Sequence, residues 1–263
     1  VMTRPRKATL LFSMFFRLSV AQATGLFDGG DPHTYRTSFV LDLRHGMKDL
    51  PVQAARREDI TLADDPVTPG NRAVHVEINR GEDFSGVANG SPRTEFLLPS
   101  NIRLAPGREY LIRWRTYLPR NFAFDHQQWE IITQIHHGAL SGPPPFMLTL
   151  SGADYAVSVR GGKNTAHGSG VRICCAMDDV GRWVDWTLQY APDATGRRAT
   201  TRLWKDGRQV FNGDGMPNAY PDDSRAYLKF GIYKPEWLIE PSDVQFLEIY
   251  YSVVAVGEKA VRP

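Results

Sequence analysis

From residue 37 onward, apolar and polar residues alternate in short runs rich in Val, Ile, Thr, Tyr, Phe and Trp, and clusters of Gly, Pro, Asn or Asp interrupt them at the intervals of a sandwich. This period of two predicts strands over 37–43, 73–78, 94–98, 109–118, 129–137, 146–150, 155–160, 183–190, 199–204, 226–233 and 244–254. Asp206 and Gly207 separate two such runs and predict a tight hairpin, because both residues tolerate the left-handed conformation that the turn needs. No long amphipathic helix, strand–helix alternation, internal repeat or linker is legible. The pattern therefore excludes doubly wound and barrel α/β enzymes and predicts an all-β fold of two packed antiparallel sheets in one domain.

The first residues break the pattern. Arg4, Arg6 and Lys7 form a basic head, 8–20 is mostly apolar, and Ala21, Gln22, Ala23 resembles a small-residue cleavage site. Residues 1–23 are therefore read as a signal peptide, 24–263 as the folded domain, and the protein as secreted or periplasmic. Arg17 interrupts the apolar run, and no stretch reaches the ~20 uninterrupted apolar residues of a membrane span. Removing 1–23 takes away Arg4, Arg6, Lys7 and Arg17 and no acid, so the formal charge of +2 becomes −2. A near-neutral chain argues against nucleic acid as partner and requires any positive field to be local. The two cysteines, Cys174 and Cys175, are neighbours that cannot staple distant segments and lack the spacing of a zinc site; they read as two small strand residues.

Three strands carry polar groups on the face opposite their apolar one. Arg93 and Glu95 flank Thr94, Gln134 and His136 flank the apolar Ile135, and Tyr227, Lys229, Gly231 and Tyr233 alternate with Leu228, Phe230 and Ile232. Taken singly, each is an ordinary exposed sheet face. Together they place guanidinium, amide, imidazole, ammonium and phenol groups on non-core faces that a jelly roll gathers into one groove.

In this order the motifs Arg-Thr-Glu, Gln-Ile-His and Tyr-Leu-Lys-Phe-Gly-Ile-Tyr-Lys resemble the signature strands of the jelly-roll polysaccharide lyases. That group includes family 7 alginate lyases, glucuronan lyases and the heparin lyase I group, and the last motif is most similar to the latter two. The resemblance implies a concanavalin A-like β-jelly roll with a concave substrate groove and β-eliminative cleavage of a 1,4-linked uronic-acid polysaccharide. It implies Tyr233 as the catalytic tyrosine, His136 as its partner, and Arg93 and Gln134 as ligands of the uronate carboxylate. Lys229, Glu95, Tyr227, Asn164 and Lys234 are the substrate-binding candidates beside them. Where alginate lyases end this motif Tyr-Asn-Gln, the chain has Tyr233, Lys234 and Pro235, which favours a glucuronate-containing polymer over alginate.

These residue types suit the chemistry. Removing the proton next to a carboxylate concentrates charge on that carboxylate, which Arg93 and Gln134 can stabilise. His136, with a reference pKa of roughly 6.5, can accept a proton, and Tyr233, with one of roughly 10, can donate to the leaving oxygen. Trp129, Tyr155, Arg160, Asn164 and His167 are further groove candidates, Gly161, Gly162, Gly168 and Gly170 suggest a mobile loop, and Trp183, Trp186 and Trp204 read as core. A glycoside hydrolase is disfavoured, because Glu58–Asp59, Asp64–Asp65 and Asp222–Asp223 lie in turn-like stretches rather than flanking a groove. A serine hydrolase is disfavoured too, since neither Ser141 nor Ser169 sits in a nucleophile elbow. A non-catalytic carbohydrate-binding module is the rival from another class; it would need no acid and base. The proposed chemistry requires no cofactor; Asp64–Asp65 or Asp178–Asp179 could hold a structural Ca²⁺, but solvated turns account for these acids equally well. The expected state is a monomer.

Overall fold

The structure, a computed structural model, describes residues 35–44, 46–138, 142–163 and 168–259. The signal-peptide reading over 1–23 and the site candidates Asn164 and His167 lie outside these residues. The strands are β1 (Tyr35–Val40), β2 (Val52–Gln53), β3 (Ile60–Asp64), β4 (Arg72–Asn79), β5 (Arg93–Leu97), β6 (Tyr110–Tyr117), β7 (Trp129–His136), β8 (Phe146–Ser151), β9 (Asp154–Arg160), β10 (Gly168–Ile173), β11 (Trp183–Ala191), β12 (Thr200–Lys205), β13 (Arg208–Asn212), β14 (Tyr227–Tyr233) and β15 (Phe246–Lys259). They form two antiparallel sheets. One has the order β13-β12-β11-β6-β15-β4-β3, with β1 also on β15; the other runs β10-β9-β8-β7-β14-β5-β2. Among the described residues helix occurs only as short 3-10 turns, and no helix is long and apolar enough to cross a membrane.

The inward residues of the two sheets interlock. Trp114 stacks on Trp186 within the first sheet and meets Phe230 of the second edge-on; Tyr155 meets Trp186 in the same way, and Phe96 meets Tyr251. Each is essentially excluded from solvent, and burying an apolar side chain of this size contributes about 1.5–3 kcal/mol. Asp206 and Gly207 take φ of 50° and 78° between β12 and β13, as the hairpin reading requires.

Several expectations are corrected. Gly168 and Gly170 belong to no loop but to the edge strand β10, where a Cβ on Gly170 would lie 2.6 Å from the Val157 carbonyl oxygen. This strand is exposed nearly throughout, so it carries no apolar alternation to read. Cys174 and Cys175 lie past its end, where the chain turns towards Ala176–Asp179, and are disulfide-bonded to each other. Trp186 is core, but Trp183 is buried on the outer face of its sheet with Tyr117, and Trp204 is only half-buried. Tyr155 is core rather than groove. The acid pairs are not all solvated: Asp59 is buried under Arg56, Asp223 accepts hydrogen bonds from the Gly138 and Arg225 amides, and Asp179 is buried in ion pairs with Arg182 and Lys205. Asp64 pairs with Arg72, and Asp65 accepts from the Val67 and Thr68 amides.

Candidate functional site

β7, β14 and β5 are neighbours in the second sheet, so the three sequence motifs lie side by side. Tyr233 stands opposite Arg93, Gly231 opposite Glu95, Lys229 opposite Gln134, and Tyr227 opposite His136. Side-chain alternation sends their polar members to one face, while Leu228, Phe230, Ile232 and Ile135 enter the core.

Glu95 is the hub of this face. Gln134 Nε2 donates to Glu95 Oε1 at 2.5 Å, and Lys229 Nζ lies 3.3 Å from Glu95 Oε2, which is also 3.6 Å from Arg93. The Gln134 bond reaches from β7 to β5 across the intervening strand. It passes at Gly231, the one position of that strand face where a side chain is missing. Lys229 Nζ also donates to Gln53 Oε1 at 2.7 Å, a residue of the two-residue strand β2 that carries no recognisable signal in the sequence. Arg93, Glu95, Gln134 and Lys229 are all buried, and two cations surround one carboxylate. Desolvation lowers the Lys229 pKa, Glu95 opposes this, and Arg93 adds to it. The Arg93 guanidinium lies 3.9 Å from the Tyr233 ring centroid, close enough for a cation–π contact that fixes both groups.

His136 Nδ1 lies 2.8 Å from the His137 carbonyl oxygen. A carbonyl can only accept, so Nδ1 carries the proton and Nε2 keeps its lone pair. Burial is the main force lowering the His136 pKa to about 4; its bond to His137 opposes this, and the charges of Lys229 and Arg93 add to the drop. The Tyr227 ring packs 5.3 Å from that of His136, and its own pKa is raised by burial.

Arg93, His136 and Tyr233 line one cleft of about 330 Å³, joined by Trp129, Arg160 and Asn89. Asn89 was missed because it looked like an ordinary turn residue; its φ of 60° sets it at the bend before β5. Glu95, Gln134 and Lys229 are closed off from solvent beside this wall and reach Arg93 through the Glu95 carboxylate. Lys234 is a correction: it is fully buried, with Nζ 2.9 Å from both Asp125 and Glu130, and is not open to the cleft. Alternation explains this, since the residue after an outward Tyr233 turns inward. A larger open cavity of about 1160 Å³ lies at the rim beside 106–109 and 191–195, but it holds none of the three motifs, and Arg108 and Lys259 on its wall are paired with Glu258 and Glu109. The smaller cleft is where a phenol, an imidazole and a guanidinium group converge.

The polysaccharide lyase family model matches residues 35–255. Searching curated protein sequences gives no match. Among solved structures, the chain is similar to an endo-β-1,4-glucuronan lyase from the fungus Trichoderma reesei, with 18% identity, TM-score 0.65, and 84% of this chain and 95% of that one covered. Alginate lyase A1-II', of polysaccharide lyase family 7, is 12% identical with TM-score 0.54, covering 81% and 94%. The binding domain of Paraclostridial Mosquitocidal Protein 1 is 8% identical with TM-score 0.51, covering 87% of this chain and 50% of that one. At these identities the structural matches establish the fold, a jelly roll that serves cleavage and binding alike. The family match over most of the chain decides between them: the chain belongs to the polysaccharide lyase family and is a carbon–oxygen lyase acting on polysaccharides.

Proposed function

We propose that the protein is an exported lyase that cleaves a 1,4-linked, glucuronate-containing polysaccharide by β-elimination in the cleft of Arg93, His136 and Tyr233. The carrying observation is the convergence of these three groups on one small cleft, with Arg93 held against the Tyr233 ring. Arg93 meets the uronate carboxylate and stabilises the charge that develops when the neighbouring C5 proton leaves. Glu95 and Lys229 hold Arg93 and Gln134 in register, so the cationic excess of this cluster is preorganised rather than recruited.

In a glucuronate the C5 proton and the C4 leaving oxygen lie on one face of the ring. Tyr233, as phenolate, then takes the C5 proton, the C4–O bond breaks as the C4=C5 double bond forms, and the same proton passes to the leaving oxygen. The phenolic proton is lost to solvent beforehand, and His136, on the same cleft wall, assists. In a guluronate or iduronate the two lie on opposite faces, and His136 as base with Tyr233 as acid divides the work. Trp129, on the cleft wall and partly exposed, offers a sugar-stacking face.

The similarity to a glucuronan lyase and the inward turn of Lys234, which leaves Pro235 at the cleft where alginate lyases carry an amide, both favour glucuronate. The likeness to alginate lyase A1-II' makes alginate the second substrate to test. Offering glucuronan, alginate, heparin, heparan sulfate and pectate while following the ultraviolet absorbance of unsaturated uronate tests the reading. Strongest growth with glucuronan supports it; growth only with alginate transfers it to that polymer; binding without absorbance on any of them overturns it.

A further inference from the structure

The cleft depends on an irregularity in β7. Trp129, Ile131 and His136 all line it, although strict alternation puts Ile131 and His136 on opposite faces. The parity changes at a β-bulge. The pairing of β7 with β8 slips between Ile131 and Thr133, and that of β14 with β7 slips between Phe230 and Tyr233. Ile132 thereby enters the core while Ile131 and Trp129 turn to the cleft. Bulges of this kind re-aim side chains, and they leave main-chain groups out of the ladder.

A tyrosine of the opposite sheet reaches across the core to this bulge. Tyr251, on β15, is fully buried; its Oη donates to the Ile132 carbonyl oxygen at 2.5 Å, accepts from the Gly231 amide at 3.1 Å, and lies 3.0 Å from the Gly231 carbonyl oxygen. Gly231 stands within the slipped stretch of β14 at φ 141°, and a Cβ there would lie 2.1 Å from the Thr94 carbonyl oxygen. One hydroxyl thus joins the two strands that carry His136 and Tyr233 where their own pairing slips.

We propose that Tyr251 is a positioning residue: its hydroxyl sustains the bulge that places Trp129 and Ile131 beside His136 and sets Tyr233 against Arg93. Tyr251 touches no substrate and acts through Ile132 and Gly231. The inference rests on the lyase reading for its kinetic consequence but not for its structural one.

Tyr251→Phe removes the hydroxyl and keeps the ring packed on Phe96 and Phe230. The matched control is Tyr190→Phe, which removes another buried hydroxyl bonded to a main-chain oxygen, that of Asn218 at 2.5 Å, at a distance from the motif strands. Small misplacement of reacting groups costs on the order of 10²-fold. The expected result is a loss of about 10- to 100-fold in kcat for Tyr251→Phe with KM changed far less, and a wild-type kcat for Tyr190→Phe at a similar drop in Tm. Hydrogen exchange over 129–136 and 227–233 should quicken in Tyr251→Phe alone. Wild-type kcat in Tyr251→Phe, or an equal loss in Tyr190→Phe, overturns the proposal. Should the wild-type protein cleave no uronan, the lyase reading fails, and unchanged exchange in Tyr251→Phe then overturns this inference separately.

Discussion

Two buried charge clusters flank Tyr233, and they are built in opposite senses. On one side Arg93 and Lys229 surround the single carboxylate of Glu95; on the other Asp125 and Glu130 surround the single ammonium of Lys234. The first has a cation in excess and borders the cleft through Arg93, so in the proposed reaction an incoming carboxylate completes it. The second has an anion in excess and is sealed. Burial pushes the Asp125 carboxyl up, but hydrogen bonds from Ser242 and Lys234 outweigh it and bring it down to about 2. Burial raises Glu130 to about 7, against the pull of Lys234. Asp125 also binds the Gln127, Gln128 and Asp243 amides, so this cluster ties the loops before β7 and β15 to the end of β14. The same ingredients, inverted in ratio and exposure, give the proposed anion-binding site in one case and a structural knot in the other.

Substituting one cation from each cluster separates these roles. Lys234→Met leaves two carboxylates without their counter-charge in the interior, and breaking a buried pair in this way costs about 3–5 kcal/mol; denaturant unfolding should show that loss, with activity per folded molecule much less affected. Arg93→Ala should do the reverse, lowering kcat by about 10²–10³-fold, as for removal of a transition-state donor, with a smaller change in unfolding midpoint. Equal effects of the two variants on both measurements would erase the distinction.

The two regions also respond differently to pH. His136 must be neutral to accept a proton, and its pKa is depressed from 6.5 to about 4. The acid limb of kcat/KM should therefore fall near pH 4 in the free enzyme; a limb near 6.5 would remove His136 as base. Stability should show opposing slopes. A depressed histidine contributes stability above pH 6.5 that is lost as pH falls towards 4, whereas the raised Glu130 contributes stability below pH 4.5 that is lost as pH rises through about 7. Glu130→Gln should flatten the loss between pH 4.5 and 7, measured by unfolding across that window, and an unchanged slope would mean that Glu130 does not titrate there.

Much of the cleft was legible because period-two alternation is a local property. Arg93 with Glu95, Gln134 with His136, and Lys229 with Tyr233 are each two or four residues apart, so their shared face follows from the strand itself. What stayed hidden depends on non-local geometry. The bulge at Ile131–Thr133 reverses the face of β7 without any marker residue, and Gln53 acquires its role only because β2 docks beside β5. Lys234 follows the alternation rule, yet a lysine facing inward is credible only once Asp125 and Glu130 are seen to meet it. Tyr155 failed in the opposite direction: its polar tip suggested a groove, while its position facing Trp186 put it in the core.

In the proposed β-elimination Tyr233 moves the proton. Tyr233→Phe keeps the ring beneath Arg93 and removes only the hydroxyl. With circular dichroism and polymer binding matching wild type, absorbance of the unsaturated product should no longer grow; growth at the wild-type rate would remove Tyr233 from the reaction.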